Sequence, residues 1–447
     1  MPPCRRRGFL AERRQALCTG QARLQTKTED KWRVISVSLT SQERRIVDRI
    51  DAMATHLTGL SDAIHTLAEL GYEEHRSADL LCAVLSDVGL TVERGVADLP
   101  TAFRATLSGG RPGPVIGFLA EYDALPGIGH ACGHNLIGVA AVGAAIGLAA
   151  VQSELPGTAL VFGTPAEEGY RPNAGGKVVM HRAGLFNELD AALIVHPGEP
   201  YTAGGTSLAR DNFRLRFRGR RPGIGQPRWD AVDSQDAVML THAAINVLRQ
   251  HVDPSVVIQW TVEKGGDNPN IIAVESSARL YVRAPRMATV SAVVERIMDC
   301  ARGAALATGA SVDYERHAQL YDEVVPNATL NRLFVAALRD AGAPGDQIEP
   351  VPPGPTTHSD DTGIVSKTVP TISGRIMVGP PGLVLHTREA TEATCSAQAH
   401  TAMLIGAKAM ALTAWRMANS PELVAAARAD LCAAMADAGT TGNRANA

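Results

Sequence analysis

Aromatic side chains are scarce in this chain, with Phe, Trp and Tyr together making up 4% of its residues. Gly and Ala are abundant instead, a balance that suits a helix-rich α/β enzyme. Cysteine is sparse and scattered: the seven stand at positions 4, 18, 82, 132, 300, 395 and 432. An odd, unclustered set excludes a disulfide framework and fits a reducing cytoplasm. No apolar run approaches the roughly 20 residues needed to span a bilayer. The net charge is −3, so the basic footprint of a nucleic-acid binder is missing. What remains is a chain of 447 residues, long enough for two domains and a large core.

The first 38 residues differ from the rest. Met1 to Arg33 is rich in Arg and Gln and lacks the apolar centre of a secretory signal. Its arginines are compatible with a mitochondrial-type presequence, but the simpler expectation is a disordered or non-native extension over 1–38.

Beyond it, helical periodicity runs from Thr40 to Leu70, with Ile46, Ile50, Met53, Leu57 and Leu60 on one face. A second helix follows over Ser77–Leu90. Apolar strand-like runs then alternate with helices: Val115–Ala120, Leu136–Val151, Ala159–Gly163, Lys177–Ala183 and Ala191–His196. Such alternation predicts an α/β fold with a mixed, mostly parallel sheet between helices. From about 207 the pattern changes to β-α-β-β-α-β, the order of a ferredoxin-like α+β unit inserted into the first domain. The expected division is a catalytic domain over 39–206 and 318–420, a lid over 207–317, and a C-terminal helix and tail over 421–447.

Chemistry-bearing residues gather where apolar runs end. Glu121-Tyr122-Asp123 and His130-Ala131-Cys132-Gly133-His134 lie between a strand and a helix. Thr164-Pro165-Ala166-Glu167-Glu168-Gly169 follows Leu160-Val161-Phe162, and His196 follows Leu193-Ile194-Val195. His358-Ser359-Asp360-Asp361 sits in a polar loop, and His386 follows Leu383-Val384-Leu385. If the apolar runs are neighbouring strands, their ends converge on one site. Thiolate, imidazole and carboxylate are metal-ligand types. In the pair Glu167-Glu168 one carboxylate can hold metal while the other accepts a proton from water.

As an ordered set these motifs resemble the M20 metallopeptidase family, closest to its amidohydrolase branch. They include Glu-Tyr-Asp-Ala-Leu-Pro, His-Ala-Cys-Gly-His-Asn, Gly-Thr-Pro-Ala-Glu-Glu-Gly, Val-His-Pro-Gly, Asn-Ile-Ile and the late His-Thr. The resemblance runs from about Glu43 to Ala411. It implies a dinuclear site with Cys132, His134, Glu168, His196 and His386 as ligands, Cys132 being the candidate bridge. It implies Glu167 as general base toward a hydroxide shared by the ions, and Asp123 behind a ligand. Two divalent ions are expected, manganese or zinc, with cobalt or nickel also allowed; thiolate with imidazole favours zinc on softness grounds. Asn270 and Arg283 match lid positions that contact substrate, and Arg283 suits a carboxylate. His358 is open between substrate contact and loop residue. The expected partner is a small, carboxylate-bearing molecule, with no nucleic acid or membrane, in a homodimeric cytoplasmic enzyme.

One departure stands out. The family's lid histidine falls on Gly223 here, which removes one donor to a tetrahedral oxyanion; Arg221 or His358 could substitute. The leading expectation is hydrolysis of small N-acyl amino acids, aminobenzoyl amides or dipeptides. An alternative is hydrolytic deamination of an aromatic amine such as 5-nitroanthranilate. A non-catalytic metal-binding or regulatory protein is the alternative of another class.

Overall fold

The computed structural model describes residues 39–222, 227–352 and 356–442. The expected N-terminal extension and Gly223 lie outside the described residues. Thr40 opens the ordered chain with a capping box: its hydroxyl accepts from the Glu43 N–H at 3.2 Å, and the Glu43 carboxylate accepts from the Thr40 N–H at 2.9 Å. Arg416, far along the chain, donates to the same carboxylate at 2.6 Å. Burial opposes ionisation of Glu43, but the Thr40 N–H and Arg416 outweigh it and hold the carboxyl below its ordinary value. The stability it contributes is present above the unfolded carboxyl value and is lost as pH falls through the folded one. Glu43→Ala is therefore expected to cost about 1–2 kcal/mol at neutral pH. The melting-temperature gap to the parent should narrow on acidification, and a gap unchanged down to the acid limit of folding would refute the linkage.

Helices α1 (Ser41–Ala52) and α2 (Ala54–Leu67) break at Met53, where one continuous helix is predicted. Ile50 and Leu57 are seven residues apart, two helical turns, so the apolar stripe stays in phase across the break and periodicity hides it. After α3 (His75–Asp87) come β1 (Thr91–Arg94), β2 (Phe103–Ser108), β3 (Arg111–Ala120), α4 (His134–Ala149), β4 (Pro156–Gly163), α5 (Gly176–Arg182), β5 (Ala191–Pro197) and β6 (Tyr201–Thr202). The segment from β7 (Ala209–Arg218) to β10 (Ser311–Arg316) forms a separate sheet, and contains α6 (Ser234–Leu248), β8 (Val257–Lys264), β9 (Glu275–Ala284) and α7 (Met287–Thr308). The chain then returns through α8 (Ala328–Asp340), β11 (Ile348–Glu349), α9 (Thr362–Ser366), β12 (Thr371–Ile376), α10 (Arg388–Ala393), α11 (Ala397–Ala418) and α12 (Pro421–Gly442).

The large sheet has eight strands in the order β1-β2-β4-β3-β5-β12-β6-β11. Its centre, β4-β3-β5-β12, is parallel, and antiparallel pairs stand at β1-β2, β2-β4 and β12-β6. Both faces are covered, as parallel strands require. Val161, Leu193 and Val195 point to one core with α4 and α11, while Leu160, Phe162 and Ile194 point to another with Phe186 and Val365. Helix α4 is buried on all sides apart from its last residue, which explains why its sequence shows no polar face. The smaller sheet, β10-β7-β9-β8, is wholly antiparallel. Phe213, Leu215 and Phe217 turn toward α6 and α7. The alternating Arg214, Arg216 and Arg218 turn outward and pair with Glu263, Glu315 and Asp313. Among the described residues no helix is long and apolar enough to cross a membrane.

Candidate metal centre

The C-terminal ends of β3, β4 and β5 lie side by side, with Ala120 opposite Gly163, and the residues just beyond them form the site. Gly133 makes the convergence tight. At φ 80 it turns the chain into α4, and a Cβ there would stand 2.5 Å from Pro197 Cγ. Cys132 and His134 are thereby pressed against the His196 turn. The Cys132 Sγ is 3.3 Å from His196 Nε2. The His196 Nδ1–H donates to Pro197 O at 2.8 Å, leaving Nε2 as the free lone pair aimed at the thiol.

His134 is oriented from behind by Asp123, whose Oδ1 is 2.8 Å from Nδ1. The other Asp123 oxygen accepts from the Glu168 N–H at 3.0 Å, so one carboxylate fixes two site residues. The His134 Nε2 then faces Glu121 Oε2 at 3.4 Å and both Glu167 Oε2 and Glu168 Oε1 at 3.8 Å. Burial opposes protonation of His134, but Cys132, Asp123 and Glu121 raise it well above the ordinary imidazole value. Burial pushes Glu167 well above the usual carboxylate range, with Glu121 and Glu168 adding to the effect. Burial, opposed by His134 and reinforced by Asp123 and Glu121, pushes Glu168 to about 7. The Cys132 thiol is raised by burial and then by Glu168.

His386 arrives differently from the expectation. Leu383 to Leu385 is not a strand but an irregular loop, and Val384 is exposed. The chain is anchored through the His386 N–H, which donates to Ala131 O at 3.0 Å, and the residue adopts φ 64. Its Nε2 is 3.6 Å from Glu168 Oε2. Ala166, just before the Glu pair, also has positive φ, at 58. Such conformations are costly for residues with a Cβ and concentrate where side-chain placement is functional.

Candidate ligand atoms fall into overlapping groups within 4.8 Å: Cys132 with His134 and His196, Cys132 with Glu168 and His386, and His134 with Glu167 and Glu168. The first two share Cys132. His134 Nε2, Glu121 Oε2 and Glu168 Oε1 are buried with no hydrogen-bond partner among the described residues. Orphaned nitrogen and oxygen atoms beside the Cys132 thiol fit a divalent metal.

Some expected residues go elsewhere. Asn270 is exposed and does not line the cleft of this chain. Arg221 is likewise exposed and absent from the cleft wall. Asp361, from the polar loop, pairs with the buried Lys177. Asp360 accepts from the Thr362 N–H at 2.6 Å. His130 is structural, its Nε2 lying 3.1 Å from Ile64 O. Arg283 and His358 do line the cleft, a cavity of ≈650 Å³ between the two sheets.

Three residues near the site have no role in the sequence reading. Glu121 faces His134, and its signal was its place two residues before Asp123. Lys177 is buried among Glu121, Asp360 and Asp361. Glu74 accepts from the Ala166 N–H and the Thr101 hydroxyl, both at 2.9 Å, and so holds the turn that carries Glu167. Nothing local marks Glu74 in the sequence.

Strand ends carrying these donors, beneath a small antiparallel unit, are the framework of a metal-dependent hydrolase of carbon–nitrogen bonds. Kinship carries the same conclusion. Residues 117–416 match the sequence profile of peptidase family M20/M25/M40, and the chain belongs to that family. It is 36% identical over 398 residues to a Xaa-Arg dipeptidase of Mus musculus, covering 86% of this chain and 91% of the relative. It is 33% identical over 326 residues to a polypeptide of the p-aminobenzoyl-glutamate hydrolase of Escherichia coli K12, covering 67% of this chain and 66% of the relative. The fold is shared with an aminobenzoyl-glutamate utilization protein from Klebsiella pneumoniae, at TM-score 0.66 and 18% identity over 84% of this chain and 99% of that one. It is also shared with a dinuclear metal binding M20 peptidase from Bacillus subtilis, at TM-score 0.56 and 20% identity over 82% of this chain and 99% of that one.

Proposed function

We propose that the chain hydrolyses the amide bond of small N-acyl amino acids, aminobenzoyl amides or dipeptides, and that its donor clusters hold two divalent ions. The observation that carries this is the sharing of Cys132 between two ligand groups. It leaves places for His134 with His196 on one side and Glu168 with His386 on the other. Ions held there would supply Lewis acidity and a water acidic enough to act as nucleophile near neutral pH. Zinc or manganese suits the set, with cobalt or nickel admissible.

The protein's own groups do the rest. Glu167, beside the donors but without a hydrogen-bonding partner for its side chain among the described residues, takes a proton from the attacking water. It passes that proton to the departing nitrogen as the C–N bond breaks, so the carboxylate ends as it began. Asp123 keeps the His134 Nε2 turned inward. The segment over 207–317 acts as a lid, presenting Arg283 to the substrate carboxylate. A homodimer is part of this proposal. The scattered free thiols support a cytoplasmic setting.

The test is metal analysis joined to product release from a panel of hippurate, aminobenzoyl-glutamate, a β-alanyl dipeptide and 5-nitroanthranilate. About two equivalents of metal and turnover of an amide are expected, with chelation abolishing turnover and lowering the melting temperature. Ammonia from the nitroanthranilate with the amides untouched would replace amide hydrolysis by aryl-amine deamination. A protein that takes up no metal and turns over nothing would sink both.

A further inference from the structure

Arginines inside the cleft are treated differently from those outside it. Along β7, Arg214, Arg216 and Arg218 all pair with carboxylates although they are partly exposed to water. Arg210, on the same strand and face, is 4% exposed and forms no ion pair among the described residues. Its cross-strand neighbour on β9 is Arg283, which also forms none there. The Nε and Nη2 of Arg210 and the Nε of Arg283 are buried without a hydrogen-bond partner among the described residues. Both guanidinium groups lie over the ring of Tyr281, at 5.4 and 5.6 Å from its centroid, and Arg210 stacks on Tyr321 at 3.7 Å. The aromatic faces soften the charge but do not replace an anion.

A third guanidinium comes from the other sheet. Arg375 on β12 is in register with His196 on β5, and its Nη2 reaches the His358 ring at 3.2 Å. It too forms no ion pair among the described residues, although the Asp360 carboxylate in the same cleft attracts it. All three arginines line the one cleft. Like charges opposed on neighbouring strands are destabilising, and a buried charge without a counter-ion is more so. Sites that break these rules are where a ligand completes the arrangement. The pair on the small sheet and Arg375 on the large one form two separate cationic positions, which call for two anionic groups.

We propose that the preferred substrate is an N-acyl amino acid with an acidic side chain, of the glutamate or aspartate type. Its α-carboxylate lies on the Arg210–Arg283 pair and its side-chain carboxylate on Arg375. This rests on the amide hydrolysis proposed above and selects among its substrates. A basic leaving residue, such as the Arg named in one relative, would bring a fourth cation to Arg375. Among the acidic residues lining the cleft, Glu199 already accepts from the Gly382 N–H at 2.6 Å.

The experiment compares p-aminobenzoyl-L-glutamate, its isosteric glutamine analogue and its arginine analogue on the metal-loaded full-length enzyme. Calorimetry of N-acetyl-L-glutamate and N-acetyl-L-glutamine on the Glu167→Gln protein gives a readout independent of turnover. A charge-assisted contact predicts a preference for glutamate over glutamine of roughly 10- to 100-fold in kcat/KM and in affinity. Arg375→Met should collapse that ratio toward one. Equal or better use of the glutamine or arginine substrate by the parent enzyme overturns the assignment, whatever the variant does. Selective binding of the glutamate ligand with no hydrolysis of any amide would keep the dianion site and remove the proposed reaction instead.

Discussion

Glu167→Gln is expected to lower kcat by about 10³-fold or more on any amide the enzyme accepts, since general acid–base catalysis contributes roughly 10²–10⁴ and the role proposed for this residue runs in both directions. The amide side chain keeps the size of the carboxylate but cannot take up the water proton or deliver one to the leaving nitrogen. The two candidate donor groups that share Cys132 are formed without Glu167, by Cys132, His134, His196, Glu168 and His386, so metal content should stay at the parent level. Stability should hold or rise, because the substitution removes one carboxylate from a pocket that also contains Glu121 and Glu168 near His134 Nε2. Steady-state kinetics, metal analysis and a melting curve on the same preparation check all three points. A variant within tenfold of the parent rate would show that another group carries the proton. A rate loss accompanied by metal loss would move Glu167 into the ligand set.

Lys177→Met should have the largest effect on stability. Lys177 is fully buried, with its ammonium paired to Glu121 and Asp361 and 3.7 Å from Asp360. Its N–H donates to Asp361 Oδ2 at 3.0 Å. Removing one partner of a buried pair typically costs about 3–5 kcal/mol, because the other charges stay behind unpaired. Here three carboxylates stay behind. That loss is a large part of the ~5–15 kcal/mol that holds a domain folded, and a fall in Tm of roughly 5 °C or more is expected. Lys177→Met with Asp361→Asn should recover part of it by removing one of the stranded charges. A melting temperature within a degree or two of the parent would mean that the carboxylates find protons or water without cost. The site should suffer too, since Glu121 faces both Lys177 and His134.

The site was largely legible from the chain because its residues are local in sequence. Cys132 and His134 share one turn, Glu167 and Glu168 another, and each turn follows an apolar run that reads as a buried strand. Asp123 was legible for the same reason. Asn270 was not, since the structure leaves it exposed and outside the cleft wall of its own chain. Helix α4 and the inserted β-α-β-β-α-β unit were legible because apolar periodicity survives burial. The break at Met53 was not, because the stripe keeps its phase across it.

The sequence by itself determined the donor types, their order and the strand–turn framework that presents them, since these depend on neighbours a few residues apart. The tertiary structure alone decided the pairing of charges. Glu74 holds the turn of Ala166 from 92 positions away, and Lys177 meets Asp361 across 184. Arg210 meets Arg283 only because β7 and β9 are antiparallel neighbours in that register. Coulomb interactions depend on distance through space and on burial, and neither is written in the spacing of residues along the chain.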